Sequence, residues 1–176
     1  MPLYEIHHSA ILTSSQRQSL ASGLTNLHCK TFSAPSSFVN IAFHGPSDVD
    51  MEVGWEKVQT NYIIGHLRPR PIKPASTIPD LVTSITNIWN SIVRDPPGRL
   101  DDPRALHNCF ILEDIDGGAE QGFILPVAGN DGNWLEGNMK EFERRAGLGD
   151  VAMEALVREI ENGIGSGPAE VKGKIQ

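Results

Sequence analysis

The stretch PLYEIHH, residues 2–8, alternates in the way that is typical of a β-strand. Successive side chains of a strand point to opposite faces, so the predicted faces are Leu3, Glu5 and His7 on one side and Tyr4, Ile6 and His8 on the other. Thr13 and Gln16 follow with the spacing of a capping box, which predicts a helix over 14–31. The chain therefore begins with a strand and a helix.

A predicted strand over 38–43 completes a first strand–helix–strand unit. A second unit of the same order follows, with a strand over 58–67, a helix opened by Thr77 and Pro79, and a strand over 107–112. Two strand–helix–strand units can share one four-stranded sheet with both helices on one face. We therefore predict an α+β fold, built as duplicated β-α-β units, over residues 1–126.

Two further segments complete the prediction. Residues 45–57 are rich in Gly, Pro and Asp and are predicted to be a loop. Residues 127–176 are predicted to be a helical extension that ends in a flexible tail, with one helix over 134–145 and another capped by Asp150. The uncovered face of the sheet favours burial in an oligomer.

The composition limits the classes of function. The 176 residues carry a formal net charge of -7 with no strong basic patch, so nucleic acid is not an expected partner. No apolar run approaches the roughly 18 residues of a membrane span, and the first residues do not resemble a signal peptide. Cys29 and Cys109 are far apart and favour two free thiols in a reducing compartment, so we expect a cytoplasmic protein.

Pro2 is the first candidate for chemistry. Removal of Met1 before a small second residue would leave a free secondary amine at Pro2. Such an amine can act as a general base or as a general acid, depending on its pKa. A proline at the second position can also mean no more than Met removal, so its interpretation depends on other residues.

Four other residues could act on a small anion. Arg68 and Arg70 flank Pro69 where a strand leaves the sheet, and guanidinium groups bind carboxylates in bidentate fashion. His28 lies near the end of the first predicted helix, where a helix C-terminus favours its protonated form. Glu120, in an acidic glycine-rich loop, could activate water. The alternatives are solvated arginines, a partly buried histidine and a surface turn.

No metal site is predicted. The six histidines show no HExxH spacing or a similar pair, and the Asp-x-Asp-Gly stretch at 114–117 lacks the remaining ligands of a calcium loop.

Taken together, the candidate residues resemble the tautomerase superfamily. The resemblance rests on a proline on the first strand, a histidine late in the first helix, an Arg-x-Arg after the third strand and a glutamate before FILP at 123–126. It is greatest for the branch of cis-3-chloroacrylic acid dehalogenase and its fungal oxalocrotonate tautomerase-like relatives, and it covers about residues 2–126. It implies a duplicated β-α-β fold, a homotrimer, and neither cofactor nor metal.

The resemblance also implies roles for individual residues. Pro2 matches the catalytic proline and Glu120 matches the glutamate that activates water. His28, Arg68 and Arg70 match the residues that hold the substrate carboxylate, although the family spaces its two arginines slightly wider.

Position 109 departs from the family pattern. The dehalogenase has a tyrosine in its fourth main strand that assists the glutamate, and the matching residue here is Cys109. A thiol cannot replace the phenol as a hydrogen-bond donor. Phe110 fits the aromatic residue at the next position, and both residues are possible components of the site wall.

Several functions remain open at this point. The first is keto–enol tautomerisation of a 2-oxo acid, and the second is cofactor-free hydration or dehalogenation of 3-substituted acrylic acids, with Pro2 as acid and Glu120 activating water. Decarboxylation of a 3-oxo acid ranks third. A non-catalytic trimeric binding protein is the alternative of another class.

Overall fold

A computed structural model describes residues 2–46, 51–70, 73–94 and 102–163 of the chain. Met1 and residues 164–176 of the predicted tail lie outside the described residues. The helices and strands are, in chain order, β1 (Leu3–His8), α1 (Ser14–Phe32), a short 3-10 helix (Ser36–Phe38), β2 (Asn40–His44), β3 (Met51–Val53), β4 (Glu56–Val58), β5 (Asn61–Leu67), α2 (Thr77–Val93), β6 (Leu106–Glu113), β7 (Ala119–Glu120), β8 (Phe123–Ile124), α3 (Asp131–Ala146) and α4 (Val151–Asn162).

The main sheet has four strands in the order β2-β1-β5-β6. β1 runs parallel to β2 and β5 runs parallel to β6, while β1 and β5 are antiparallel at the centre. Each parallel pair is joined by a helix, α1 or α2, so the sheet consists of two β-α-β units. This architecture confirms the predicted α+β fold.

The core lies between the sheet and the two helices α1 and α2. The alternation in PLYEIHH is confirmed, since Tyr4, Ile6 and His8 are buried while the residues between them are partly exposed. Apolar residues of both layers meet there, among them Ile6, Leu20, Leu24, Ile63, Ile85 and Trp89. Burial of large apolar side chains is the main favourable contribution to folding.

The start of α1 follows from the predicted capping box. The backbone amide of Gln16 donates to Oγ1 of Thr13 at 3.1 Å, and the amide of Thr13 donates to Oε1 of Gln16 at 3.0 Å. Two amides that lack partners within the helix are thereby satisfied.

A second hydrophobic cluster joins α3 and α4 to the rest of the chain. Its buried members are Phe38, Phe123, Leu135, Phe142, Met153 and Leu156. Asp150 caps α4 as predicted, because its side chain accepts a hydrogen bond from the amide of Met153. α3 therefore packs against the segments that follow α1 and β6.

The loop prediction for residues 45–57 was wrong in part, because β3 and β4 form a hairpin there. Gly54 and Trp55, at the turn, have φ of 58° and 77°. Two successive residues with positive φ are typical of the tight turns of β-hairpins. The predicted loop around Glu120 also contains a hairpin, β7–β8, whose turn residues Gln121 and Gly122 have positive φ.

None of the helices in the described ranges combines the length and the hydropathy that a membrane span requires.

Candidate active site

Pro2 lies immediately before β1 and is buried. Its carbonyl oxygen accepts a hydrogen bond from the backbone amide of Asn40 at 3.2 Å, and Nδ2 of the same asparagine lies 3.5 Å from that oxygen. Asn40 is the first residue of β2, the parallel neighbour of β1. The pairing of these strands therefore fixes the position of Pro2.

Four predicted site residues line a single open pocket, namely Pro2, His28, Arg68 and Arg70, and its empty space is about 340 Å³ when the solvent at its mouth is included. Much of the remaining wall is apolar and includes Pro35, Phe38, Leu125 and Trp134. An apolar wall lowers the local dielectric constant and strengthens the attraction between a guanidinium group and an anion. The pocket thus combines two cationic side chains with a surface suited to a small organic acid.

His28 is held by a residue for which the sequence predicted no role in the site. Oη of Tyr4 lies 2.9 Å from Nδ1 of His28, and both side chains are buried. Tyr4 is on β1 and His28 is in the last two turns of α1, so this bond joins the sheet to the helix beside the pocket. The phenol fixes the orientation of the imidazole ring.

The charge expected for His28 is not the one that the structure favours. Burial lowers the pKa of His28 to about 3, and the positive charges of Arg70 and Arg68 act in the same direction. A helix C-terminus stabilises a cation by only about 0.3–1 kcal/mol at ordinary sites, which is less than the cost of burying an unpaired imidazolium. His28 is therefore a neutral hydrogen-bonding group at pH 7.

Gly65 makes room for the ring of Tyr4. A Cβ atom at position 65 would lie 2.8 Å from Cε1 of Tyr4 and 2.7 Å from Cδ1 of Ile111. Since Gly65 faces Tyr4 directly across the antiparallel pair of β1 and β5, the missing side chain lets the ring lie over the neighbouring strand.

We predict that Gly65→Ala lowers the free energy of unfolding by about 1–3 kcal/mol, because overpacking forces the ring of Tyr4 to move. Urea unfolding followed by circular dichroism measures this difference. Gly137→Ala is the control, since Gly137 lies in α3 and has no atoms within 4 Å of the added methyl group. A Gly65→Ala protein as stable as wild type would contradict this account of the packing.

Arg68 is buried, and its guanidinium group is already bound within the chain. Nη1 donates to the carbonyl oxygen of Pro126 at 2.7 Å, and Nη2 donates to Oδ1 of Asp131 at 2.5 Å. Nε is buried without a hydrogen-bond partner among the described residues. Arg68, the residue that follows β5, therefore links the end of that strand to the first residue of α3.

Asp131 brings a carboxylate to the wall of the pocket that holds Arg68. Burial raises the pKa of Asp131, but the hydrogen bond and the charge of Arg68 outweigh it and keep the pKa below its ordinary value. The carboxylate is thus ionised at neutral pH and faces Arg68 as a substrate carboxylate would. A substrate that binds Arg68 must compete with Asp131 or share the arginine with it.

Arg70 is the more available of the two arginines. Its guanidinium carbon lies 5.0 Å from the centre of the Phe32 ring, a cation–π contact. In the part of the chain that the structure describes, the guanidinium group makes no hydrogen bond to a carboxylate. Burial lowers the pKa of Arg70, although the charge of Asp131 acts in the opposite direction. Arg70 can therefore bind an anion that enters the pocket.

Glu120 is connected to Pro2 through the side chain of Asn40. Oε1 of Glu120 accepts a hydrogen bond at 3.2 Å from Nδ2 of Asn40, the residue that also binds the carbonyl oxygen of Pro2. Burial raises the pKa of Glu120, and the hydrogen bond from Asn40 offsets part of that effect. The hairpin β7–β8 thus brings a carboxylate to the segment of β2 that holds Pro2.

Cys109 and Phe110 do not line the pocket that contains Pro2. Cys109 packs on the hydrophobic core between the sheet and the helices, and burial raises the pKa of its thiol to about 11. Phe110, its neighbour on β6, points to the opposite face of the sheet and is 51% exposed. The phenol beside the pocket is that of Tyr4, on β1.

Sequence reasoning missed three residues that shape the pocket: Tyr4, Asn40 and Asp131. The signal for Tyr4 was its alternation with Ile6, which assigns it to the buried face but gives no partner. Asn40 and Asp131 carried no signal beyond a position at the start of a strand or helix. All three act through contacts between residues that are distant in the sequence.

The chain matches a protein-family model over residues 1–139, and that family is described as "Putative oxalocrotonate tautomerase enzyme". No curated protein matches the sequence.

Solved structures share the fold at low sequence identity. One is a member of the cis-3-chloroacrylic acid dehalogenase (cis-CaaD) family, with 20% identity and a TM-score of 0.56 over 76% of this chain and 90% of that one. Another is a fused 4-OT described as a wild-type asymmetric trimer, with 16% identity and a TM-score of 0.53 over 74% of this chain and 98% of the other. At these identities the likeness shows the fold alone. The family match and the shared fold together show that the chain belongs to the oxalocrotonate tautomerase-like family, within the tautomerase superfamily.

Proposed function

We propose that the chain is a cofactor-free acid–base enzyme that catalyses keto–enol tautomerisation of a small 2-oxo acid. The catalytic group in this proposal is the secondary amine of Pro2, which becomes free when Met1 is removed. The observation that carries the proposal is the arrangement of Pro2, His28, Arg68 and Arg70 around one pocket. A base and two carboxylate-binding cations on a small pocket are the groups that this reaction requires.

The proton transfer needs only one base. A neutral amine at Pro2 accepts the proton of the enol hydroxyl group, and the resulting ammonium returns a proton to the β-carbon. The electron pair of the carbon–carbon double bond forms the new C–H bond, and the C–O bond at the α-carbon becomes a carbonyl. This mechanism uses the neutral form of the amine.

The substrate carboxylate binds at Arg70 in this proposal, with Arg68 and His28 beside it. Among the described residues, no carboxylate forms a hydrogen bond with the guanidinium group of Arg70, so its charge is available to the substrate. In this proposal the phenol of Tyr4 donates to Nδ1 of His28, so that the neutral ring carries its proton on Nε2 and offers an N–H group to the substrate. Each charge-assisted hydrogen bond contributes about 1.5–3 kcal/mol to binding.

Asp131 limits anion binding by occupying Arg68. We predict that Asp131→Asn lowers KM for a carboxylate substrate about tenfold, because it removes a negative charge that competes with the substrate carboxylate for Arg68. Steady-state kinetics with the wild-type and variant enzymes measures the change. A rise in KM instead would mean that Asp131 holds Arg68 in its productive position.

Glu136→Gln is the matched control for this substitution. Glu136 is also in α3 and is exposed, so its replacement removes one negative charge without changing the contacts of Arg68. KM for this control should remain within twofold of the wild-type value.

Hydration or dehalogenation of a 3-substituted acrylic acid is the second candidate, and the Glu120–Asn40–Pro2 arrangement favours it. Glu120 would accept a proton from water as the water oxygen attacks the β-carbon, and a protonated Pro2 amine would donate a proton to the α-carbon. With a halogen on the β-carbon, the adduct would then lose hydrogen halide to give a 3-oxo acid. This reaction needs the amine in its protonated form, unlike tautomerisation.

A homotrimer in the cytoplasm is part of the proposal. The sheet face opposite α1 and α2 leaves Phe110 and Leu112 51% and 42% exposed, which favours its burial against other copies of the chain. A fused 4-OT of the same fold is described as a trimer. The two cysteines are free thiols, in keeping with a reducing compartment.

A two-substrate assay separates the candidate reactions. Phenylenolpyruvate tests ketonisation by loss of the enol absorbance, and 3-chloroacrylic acid tests dehalogenation by release of chloride. We expect ketonisation well above the uncatalysed rate and no chloride release beyond that of a Glu120→Gln variant. Chloride release that depends on Glu120 would establish the second candidate, and failure to turn over either substrate would favour a binding protein.

A further inference from the structure

One carboxylate and three imidazoles form a cluster on the sheet face opposite α1 and α2. Its members are Glu5 and His7 on β1, His44 on β2 and His66 on β5. His7 faces His44 directly across the parallel pair, and the side chain of Glu5 lies between the histidines. The cluster faces away from Tyr4, since Tyr4 points from β1 into the core.

The distances within this His–Glu cluster suit a tetrahedral metal ion. Oε1 of Glu5 lies 3.4 Å from Nε2 of His44, and Oε2 of Glu5 lies 3.7 Å from Nε2 of His7. One ligand atom from each of these three residues lies within 4.8 Å of the others. Zinc–ligand bonds of about 2.0–2.2 Å separate tetrahedral ligand atoms by roughly 3.3–3.6 Å, so the side chains must close on the ion to bind it.

His66 holds the carboxylate of Glu5 from the other side of β1, since β2 and β5 flank that strand. Its Nε2 lies 3.7 Å from Oε2 of Glu5, and its Nδ1 lies 2.8 Å from Oδ2 of Asp114. A carboxylate that binds a metal ion is commonly held in place by such a neighbouring hydrogen-bonding group.

The rings of His7 and His44 are stacked in this structure. Their centroids are 4.5 Å apart at an angle of 12°, and the Tyr62 ring stacks on His7 at 4.4 Å. A metal ion lies in the plane of each imidazole that binds it, so the two rings must rotate about Cβ–Cγ to bind one ion. This torsion is soft, since the rotamer wells of histidine about this bond are broad.

We propose that Glu5, His7 and His44 bind a divalent transition-metal ion such as Zn²⁺, with water in the remaining coordination position. Imidazole nitrogen and carboxylate oxygen are ligands that zinc accepts in proteins. The site was invisible to local sequence motifs because its histidines come from two strands and meet only through the register of the sheet. It is separate from the Pro2 pocket and does not depend on the proposed reaction.

Isothermal titration calorimetry with ZnCl₂ tests the site on the full chain, purified without a histidine tag. We expect one Zn²⁺ per chain. His44→Ala and Glu5→Gln should each weaken binding at least tenfold, because each removes one ligand. Tyr62→Phe is the matched control, since it retains the ring stacked on His7 and lies outside the ligand set, and its affinity should stay within twofold of wild type.

A second readout keeps the test independent of folding defects in a variant. Co²⁺ bound to the wild-type chain should give the absorption of a tetrahedral site with nitrogen and oxygen ligands, and Zn²⁺ should displace it. Absence of zinc binding by the wild-type chain would overturn the proposal. Binding that both ligand substitutions leave unchanged would also overturn it, by assigning the zinc to other groups.

Discussion

Replacement of Pro2 by alanine is expected to lower kcat/KM for phenylenolpyruvate about 10²–10⁴-fold, the range that positioned general acids and bases contribute. The backbone amide of Asn40 donates a hydrogen bond to the carbonyl oxygen of Pro2 at 3.2 Å. This bond holds the backbone of Pro2, so the ring nitrogen has a defined position. An alanine amine has another intrinsic basicity and can rotate about its N–Cα bond. The loss should appear mainly in kcat, because the carboxylate-binding residues are unchanged.

Pro35→Ala is the matched control for this substitution. Pro35 lines the same pocket but lies within the chain and has no free amine at any stage. Its replacement should change kcat/KM by no more than a few-fold. Intact mass of each protein must show that Met1 has been removed, since a retained Met1 blocks the amine. Equal rates for the Pro2→Ala and wild-type enzymes would eliminate the proline mechanism.

The second large effect is expected at the arginines. Arg68→Ala and Arg70→Ala should each lower kcat/KM at least tenfold, because each removes a charge-assisted contact of about 1.5–3 kcal/mol with the substrate carboxylate. The two variants should differ in stability. Arg68→Ala also deprives Asp131 and the carbonyl of Pro126 of their hydrogen bonds, so its Tm should fall. Arg70→Ala should leave Tm nearly unchanged.

Lys73→Ala is the matched control for charge. Lys73 is a cation of the same segment, but its ammonium group pairs with Glu113 at 2.7 Å and is not part of the pocket that contains Pro2. Its loss should alter kcat/KM less than threefold. An Arg68→Ala enzyme with activity within twofold of wild type would remove Arg68 from the site.

The elements with a strong local pattern could be predicted from the sequence. The alternation in PLYEIHH gave both faces of β1, and Thr13 with Gln16 gave the first turn of α1. These signals operate over a few residues, where periodicity and capping dominate. The hairpins β3–β4 and β7–β8 escaped prediction because their strands have only two or three residues. Non-glycine residues with positive φ, Trp55 and Gln121, also occur in their turns.

The candidate site could be predicted only as a set of residues, without its internal contacts. Tyr4 meets His28 across 24 residues, and Arg68 meets Asp131 across 63. The spacing of residues in the sequence does not reveal which distant residues are in contact. The charge of His28 was predicted from its place near a helix end, but its burial depends on the packing of α1 against the sheet. That packing lowers its pKa to about 3 and reverses the expectation.

The role of Cys109 shows the same limit. Comparison with the family pattern identified position 109 as the one where a tyrosine is expected. A thiol cannot replace the phenol of a tyrosine as a hydrogen-bond donor. The fold places a different phenol, that of Tyr4, in contact with His28 at the pocket. Which phenol contacts His28 depends on how the ring of Tyr4 lies over Gly65, a tertiary feature.

The central claim, that the amine of Pro2 is the catalytic base, is tested most directly by ¹⁵N NMR titration of Pro2 in protein labelled with ¹⁵N-proline. The titration is read beside the pH dependence of kcat/KM for phenylenolpyruvate. Our account predicts that the nitrogen titrates and that its pKa coincides with the rise of kcat/KM on the acidic side, because only the neutral amine acts as the base. A nitrogen that stays protonated throughout the pH range of full activity, or a residue still blocked by Met1 in the active enzyme, would contradict it.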